Sequence, residues 1–503
     1  MKLLEVIKSM DVEKIKIVFK RPVFQVDQAV AISQYKVAEH EIFDTTMRPT
    51  KKITKGSGEV GADGKEITSV GHVEPARIGM SFQQLIVDRR VGFMLTIPVK
   101  TDAIYESESD KEKALVKMVD RIQNDNKMDY RNKEIARRWM SEMECAECWY
   151  FVPTGELKPK FTLKCNIWSP DHGDLLYPLF DSTGNLIAFA RSYKLKEEEK
   201  DIEHFDVYTS EFEYKYVNRD NKWALDILTE TTDAGEIIQT NVNPIPNAVK
   251  KIMIVYHYQN KPEWADVQTM IASKETVMSN FDDMIAYFGS PILAVFGEIM
   301  GFAAKGEQGK ILQLVENAKA NYLALNSPPE AIKMYNDLLD KYIFALSQTP
   351  DISFTAMSGL GTIAQFTMKA FFMDAEMGVS KKEETFGIGL QRRLNIIKAA
   401  IGTVIDTSLA AEAKLLQLKP VITFYLPQNV TEMVDNLSVS VTGGLMSKES
   451  AVEQNPLVED SETEMERLKN DATTELSGTD IPPANRLKAA QKGQNVTTLK
   501  TGA

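Results

Sequence analysis

The chain is poor in cysteine, with only Cys145, Cys148 and Cys165 in 503 residues. An odd number cannot build a fully paired disulfide scaffold, and such scarcity fits a reducing compartment. The histidines (His40, His72, His172, His204 and His257) are scattered and form no H-x-x-x-H pair. Cys145-x-x-Cys148 therefore lacks partners for a zinc site and reads as two thiols on adjacent turns of a buried helix. An excess of positive charge is also missing: the net charge is -12 and the pI about 5.2. That excludes a surface built to hold nucleic acid tightly and leaves passing contact open. No Walker P-loop, nucleophile elbow or carboxylate pair occurs, so no enzyme, cofactor or metal is expected. The first twenty residues interrupt their apolar positions with Glu5, Lys8, Asp11 and Glu13, which reads as an amphipathic helix and not a signal peptide. Uninterrupted apolar runs are scarce too. Only 284–304 approaches the length of a membrane span, and it contains Pro291 and Glu298, a buried glutamate costing roughly 2.5 kcal/mol or more in lipid. Its apolarity is better explained by burial between subunits.

A hydrophobic content of 43% in 503 residues supports two to four substructures. Residues 48–75, rich in Gly and Lys, read as a projecting loop. Two helix-to-strand patterns follow, at 76–100 and 112–152. From about 161 to 258 the texture is that of short alternating strands, with DSTGN and NRDN as hairpin turns. From Pro262 the chain turns helical, with Val267, Met270, Ile271, Val277, Met278 and Phe281 at helical spacing. Strand-like PILAVF and NYLAL then flank a more helical stretch. Ser327 caps the next helix, with Glu330 completing the capping box; its apolar face is Ile332, Tyr335, Leu338, Leu339, Tyr342, Ile343 and Leu346. QTPDISFTAMSGLGT, from Gln348, has no periodicity and no Lys or Arg, so it is an adaptable loop that could touch DNA without trapping it. A helix from about 363 to 404 follows, with Gly378, Gly387 and Gly389 as candidate kinks. KPVITFYLPQ reads as a late strand joining the β-region.

Gly359-Leu-Gly361-Thr-Ile-Ala364 matches G-x-G-x-x-A, the signature of a dinucleotide loop. The alternative function, a nucleotide-binding enzyme, rests on it alone, because no buried strand precedes it and the following helix is too long.

Residues 431–471, TEMVDNLSVSVTGGLMSKESAVEQNPLVEDSETEMERLKND, run helix, Gly-Gly turn, short capped helix, Asn-Pro stop and acidic helix. With the element order from Pro262, this stretch resembles the portal proteins of tailed bacteriophages, in the siphophage-type branch. The resemblance implies an α+β portal-type fold: a wing of N-terminal helices and antiparallel β-structure at 1–262, stem helices at 263–288 and 327–347, and between them a small α/β clip at 289–326. It further implies a tunnel loop at 348–362, a long kinked helix returning to the wing at 363–430, and a helical crown at 431–472; 473–503 read as a disordered tail. Also implied are a ring of twelve subunits at one capsid vertex, in the virion and assembled in the host cytoplasm, and double-stranded DNA passing through it. Implied partners are the terminase large subunit, scaffold and major capsid protein, and a head-completion or adaptor protein, with no membrane. The site residues it points to are Gln348, Asp351, Ser353, Thr355, Met357, Gly359 and Gly361 in the DNA-tunnel loop. Glu298, Lys305, Glu307 and Lys310 would face the terminase from the clip, and Gly443, Gly444, Ser447 and Pro456 would shape the crown.

Overall fold

In the computed structural model of the chain, the described residues are 3–8, 11–60, 66–155, 159–197, 200–227, 229–231, 237–239, 241–288, 292–296, 299–301, 313–314, 319–323, 329–352, 365–425, 430–458 and 460–477. The chain divides into two compact units, Met1–Ser353 with Phe372–Tyr425, and Phe354–Phe371 with Leu426–Ala503.

The first unit opens with two helices where one was expected, α1 (Leu3–Lys8) and α2 (Val12–Phe19). Asp11 starts the second: its carboxylate accepts from the Lys14 N–H at 3.2 Å, and a side chain bonded to the backbone there competes with helix continuation. After α3 (Gln28–Tyr35), residues expected to form a loop are instead a hairpin, β1 (Lys51–Val60) against β2 (Glu66–Val73), with Thr54 opposite Val70. The β-branched residues there outweigh the glycines.

The two helix-to-strand patterns are present: α4 (Phe82–Leu95) leads to β3 (Lys100–Ile104), and α5 (Asp110–Asp125) and α6 (Met128–Glu142) lead to β4 (Glu144–Pro153). The second pattern contains two helices, broken at Lys127 in a left-handed conformation. Cys145 and Cys148 lie on β4, not on a helix, in the part of the strand from Glu144 to Trp149 that is buried on both faces. At three residues apart on a strand they point to opposite sides.

The antiparallel region forms two sheets. In one, β4 sits between β5 (Phe161–Trp168) and β14 (Ile254–Tyr258). In the other, β6 (Leu175–Phe180), β7 (Leu186–Glu197), β8 (Lys200–Tyr208), β9 (Phe212–Arg219) and β10 (Lys222–Leu225) follow one another, with β13 (Ile245–Pro246) beside β9. Asp220 and Asn221, both at positive φ, make the tight turn expected at NRDN. Val6, Ile7, Ile15 and Phe19 bury against this sheet with Phe205, Val207 and Tyr216. The apolar stretch WALDILTE, 223–230, reads as one strand in the sequence but is split: only β10 continues the sheet, and β11 (Thr229–Thr231) pairs β12 (Ile237–Gln239).

The helix expected from residue 263 begins later, as α7 (Gln268–Phe288), since 263–267 are turns. β15 (Ile292–Phe296) pairs β18 (Lys319–Leu323) as PILAVF and NYLAL suggested. Between them, Gln313–Leu314, expected to be helical, is β17, paired with β16 (Ile299–Gly301). The next helix is α8 (Pro329–Leu346); its expected cap Ser327 lies outside the described residues.

The long helix is α9 (Gln365–Ala400), ending in a wide turn at Ile401–Ile405. It is continuous through Gly378, Gly387 and Gly389, and two of these, Gly378 and Gly389, serve close approach. A Cβ on Gly378 would lie 1.6 Å from Arg90 Nη1, and one on Gly389 2.3 Å from the His257 ring. After α10 (Ala410–Leu415), the late strand is β19 (Gln417–Val421), and it pairs β3. It joins neither sheet of the antiparallel region, and Ile422 to Tyr425 are not in a strand.

The described part of the second unit includes α11 (Val430–Thr442), α12 (Lys448–Glu453) and α13 (Ser461–Ser477). α11 ends in a Schellman motif: the Leu445 N–H donates to Ser440 O at 3.0 Å and the Gly444 N–H to Val441 O at 3.1 Å. Gly444 has φ 71° and is the position that needs glycine. Ser447 caps α12 as expected, accepting from the Ser450 N–H at 3.1 Å. Ser461, three residues before Glu464, has the sequence pattern of a capping box, yet the cap of α13 is Asp460: its carboxylate accepts from the Thr463 N–H at 3.3 Å and the Thr463 hydroxyl at 2.5 Å, a stronger acceptor one residue earlier.

Candidate functional site: a braced helix pair and the foot of the loop after it

The helix pair α7 and α8 spans about 32 and 27 Å at 1.5 Å per residue. It is joined by polar contacts, Lys274 Nζ donating to Asp340 Oδ1 at 2.5 Å and the Ser273 and Tyr335 hydroxyls meeting at 3.1 Å. Leu339 and Ile343 bury the apolar seam.

A second brace runs along α7. Glu275, Ser279 and Asp283, one turn apart, each accept a backbone N–H from an extended strap: Met80 at 2.7 Å, Ile78 at 2.9 Å and Ala76 at 2.7 Å. The match is geometric, since two extended residues advance about 6.6 Å and four helical ones about 6 Å. Arg48 closes the far end, donating to Asp283 Oδ2 and Asn280 Oδ1 at 2.8 Å each. At the near end the buried His40 faces Glu275 Oε1 through Nδ1 at 2.7 Å and Gln34 O through Nε2 at 2.8 Å. Burial works against a charged ring, but the hydrogen bond and charge of Glu275 outweigh it and raise the His40 pKa. Gly79 lets the strap pass Phe43, whose ring would sit 2.6 Å from an added Cβ.

At the C-terminal end of α8 the chain leaves through Gln348 at φ 50° and is fastened by two arginines of α4. Arg90 Nη2 donates to Ser347 O at 2.6 Å and Arg89 Nη1 to Pro350 O at 2.5 Å. The Arg89 guanidinium lies 5.2 Å from the Phe344 ring centroid, and Arg90 Nε stands 3.6 Å from Glu263, which also pairs with Lys382. Burial lowers the pKa of both guanidiniums, against the pull of Asp351 on Arg89 and of Glu263 on Arg90. Arg90 lies against Gly378 of α9 because no side chain intervenes. Lys381, on the same helix, reaches Gln348 Oε1 at 3.3 Å.

α9 is tied to β4 by a buried ion pair. Arg393 donates to both Glu147 oxygens, at 2.8 and 2.7 Å, and to Asn132 Oδ1 at 2.7 Å. His257 Nε2 and the Trp149 indole N–H complete the shell of Glu147 at 2.8 and 3.1 Å. Burial alone would push the Glu147 carboxyl up, but Arg393 and His257 hold it down at about 2. The buried Asp206 carboxyl moves the other way, pushed up to about 6 by burial against the pull of Lys215. Burial also raises all three thiols, Cys165 to about 12. Among the described residues there is no cluster of metal-binding side chains and no helix long and apolar enough to cross a membrane.

Of the loop residues singled out from the sequence, Gln348 and Asp351 are at this foot. Ser353, Thr355, Met357, Gly359 and Gly361 lie outside the described residues, as do Glu298, Lys305, Glu307 and Lys310. Gly443, Gly444, Ser447 and Pro456 are all exposed, at the turns and cap of the α11–α13 segment. The arginine clasp was legible in principle: Arg90 occupies a helical position among Ile86, Val87, Val91 and Met94, where an apolar residue belongs. Glu275, Ser279 and Asp283 likewise form a polar i, i+4, i+8 row.

The chain matches the family model described as "Phage portal protein, SPP1 Gp6-like" over residues 32–477. It is 50% identical over 44 residues to the portal protein of Bacillus phage SPP1, an alignment spanning 9% of each chain. Among solved structures, a chain of the neck of an empty GTA particle computed with C6 symmetry aligns at a TM-score of 0.42 and 10% identity, covering 86% of this chain and 94% of that one. With the family model matched across nearly its whole length, the chain belongs to the phage portal proteins.

Proposed function

We propose that this chain assembles into a ring, of twelve subunits as the family resemblance implies, at one vertex of a phage capsid. Double-stranded DNA is packaged and ejected through it, and it has no catalytic role. The observation that carries this reading is the family match over residues 32–477. The braced α7–α8 pair suits a rigid channel wall, being held along one side by backbone hydrogen bonds. The clasped foot at Ser347 and Pro350 suits a loop whose base must stay put while DNA passes. Residues 348–362 contain no Lys or Arg, so DNA slides past without releasing counterions at each step. In this reading Glu298, Lys305, Glu307 and Lys310 face the terminase large subunit, and the segment around Gly443, Gly444, Ser447 and Pro456 forms a crown. The ring seeds procapsid assembly with scaffold and major capsid protein and later holds a head-completion protein. Negative-stain electron microscopy of the purified protein tests the ring: particles with a central channel are expected, and a well-folded monomer at high concentration overturns it.

A further inference from the structure

Where β7, the turn before β14 and α9 come together, the first unit has an open cavity of about 720 Å³, a size within the roughly 300–1,000 Å³ of ligand sites. Its walls are of two kinds. Ile187, Ile252 and Ile388 are apolar, and Ile388 and Ile187 are 72% and 41% exposed. Lys250, Lys251 and Arg392 are cationic, and no carboxylate lines the cavity. The two lysines are exposed on a fixed turn: the Asn247 side chain accepts from the Val249 N–H at 3.1 Å and donates to Lys251 O at 2.7 Å, with Lys250 at φ 58°. The Arg392 guanidinium is held in place from α9 by Ile254 O at 2.7 Å and Ile252 O at 3.3 Å. Further along α9 the buried Lys398 donates to Leu416 O at 2.6 Å. Burial lowers the pKa of Arg392, and burial and then the charge of Lys251 lower that of Lys398, with no carboxylate acting against either. None of the four cations forms an ion pair among the described residues. Of the acids on the flanking elements, Glu211 and Glu384 are exposed and stand outside the lining, and the Asp181 carboxylate is taken by Thr183 and Asn185.

The chain as a whole has 59 basic and 71 acidic residues, so a cavity lined by cations alone runs against its composition. Like charges gathered in one place repel, and water screens the buried Lys398 and half-buried Arg392 least. An anion entering the cavity offsets that repulsion. The exposed isoleucines set a second requirement, an apolar group carried beside the negative charge. Duplex DNA meets the first requirement and not the second, since it presents phosphate and sugar along its outside. We propose that the cavity binds an acidic peptide segment of a partner protein, with a carboxylate on Lys250, Lys251 and Arg392 and a neighbouring aliphatic side chain on Ile187 and Ile388.

The test is fluorescence anisotropy with the full chain and a fluorescein-labelled Glu-Leu-Glu-Glu-Leu-Glu peptide. Saturable binding is expected, weakened about tenfold or more by K250E with K251E. I388S, or serine in place of the peptide's leucines, should each weaken it about threefold or more. K113E with K117E makes the same charge change on α5, outside the cavity lining, and should leave binding within about threefold of wild type. All five positions are exposed, so the melting transition is expected to stay unchanged and a lost signal is not a lost fold. Absence of saturable binding to the wild type overturns the proposal. Equal weakening by the two lysine pairs does so too, because it shows attraction to charge at large. Sensitivity to Lys250 and Lys251 without sensitivity to I388S or to the leucines leaves only an anion site and sinks the peptide. A labelled DNA duplex that binds the wild type more tightly than the peptide, with the same loss in K250E with K251E, gives the cavity to nucleic acid instead.

Discussion

Replacing Arg393 with methionine removes the counter-charge of a carboxylate that is fully buried. Arg393 and Glu147 are 1% and 0% exposed in their side chains, so water cannot take over when the guanidinium goes. Breaking one side of a buried pair costs about 3–5 kcal/mol. The depressed Glu147 pKa gives an independent figure. A carboxyl held at about 2 against an ordinary 4.5 contributes about 3 kcal/mol near neutrality. Because the folded value is the lower one, this stability is present above about pH 4.5 and is lost as the pH falls toward 2. In R393M the sign reverses: Glu147 is left buried without its main counter-charge, so its pKa rises above the ordinary value. The variant is then weakest relative to the wild type at pH 8, and its deficit shrinks on acidification toward pH 5. The assay is the urea midpoint read by tryptophan fluorescence, since the Trp149 indole donates to Glu147. The double variant R393M with E147L, apolar on both sides, should recover at least half of the loss. An R393M midpoint within about 1 kcal/mol of wild type, or a deficit that does not shrink between pH 8 and pH 5, refutes the reasoning.

Gly378→Ala forces Arg90 off Ser347 O and should cost about 1–2 kcal/mol net of the helix-propensity gain, read as faster hydrogen exchange at 347–352. Gly387→Ala on the same helix has open space around it and should stabilise by about 0.5–1 kcal/mol; equal behaviour of the two would contradict the close-packing account. The raised His40 pKa contributes stability that is complete below about pH 6.5 and is lost as the pH climbs through the higher folded-state value. His40→Gln should therefore flatten the stability profile above pH 6.5 without steepening it below. Asp460→Ala should cost the α13 segment about 0.5–2 kcal/mol and Ser461→Ala almost nothing, measured by exchange of the amides at 463–466. Gly359→Val with Gly361→Val should impair DNA packaging more than ring formation, because backbone freedom is lost without removing interface area; equal loss of both contradicts that division.

Local chemistry by itself determined the α11–α13 segment. The Gly-Gly turn, the Ser447 cap and the Asn455-Pro456 stop are set by groups within a few residues of one another, so they are readable in order along the chain. The helix pair, the paired strands between its members and the hairpin turns were legible for the same reason: periodicity and turn chemistry act over one or two turns. The tertiary structure alone decided where these elements meet. Gly378 and Gly389 look like kinks to a reader of one helix, and only Arg90 and His257, from distant segments, show that they are points of contact. Cys145 and Cys148 look helical by spacing, yet β5 and β14 on either side of β4 make that run a central strand. The late strand at 417–421 could have extended either sheet, and its pairing with β3 depends on α9 carrying the chain to that edge. The apolar face of α8 was read as one stripe from the sequence; the fold divides it between the seam that α7 buries and the part left exposed, because helical spacing fixes direction around an axis and says nothing of what stands opposite.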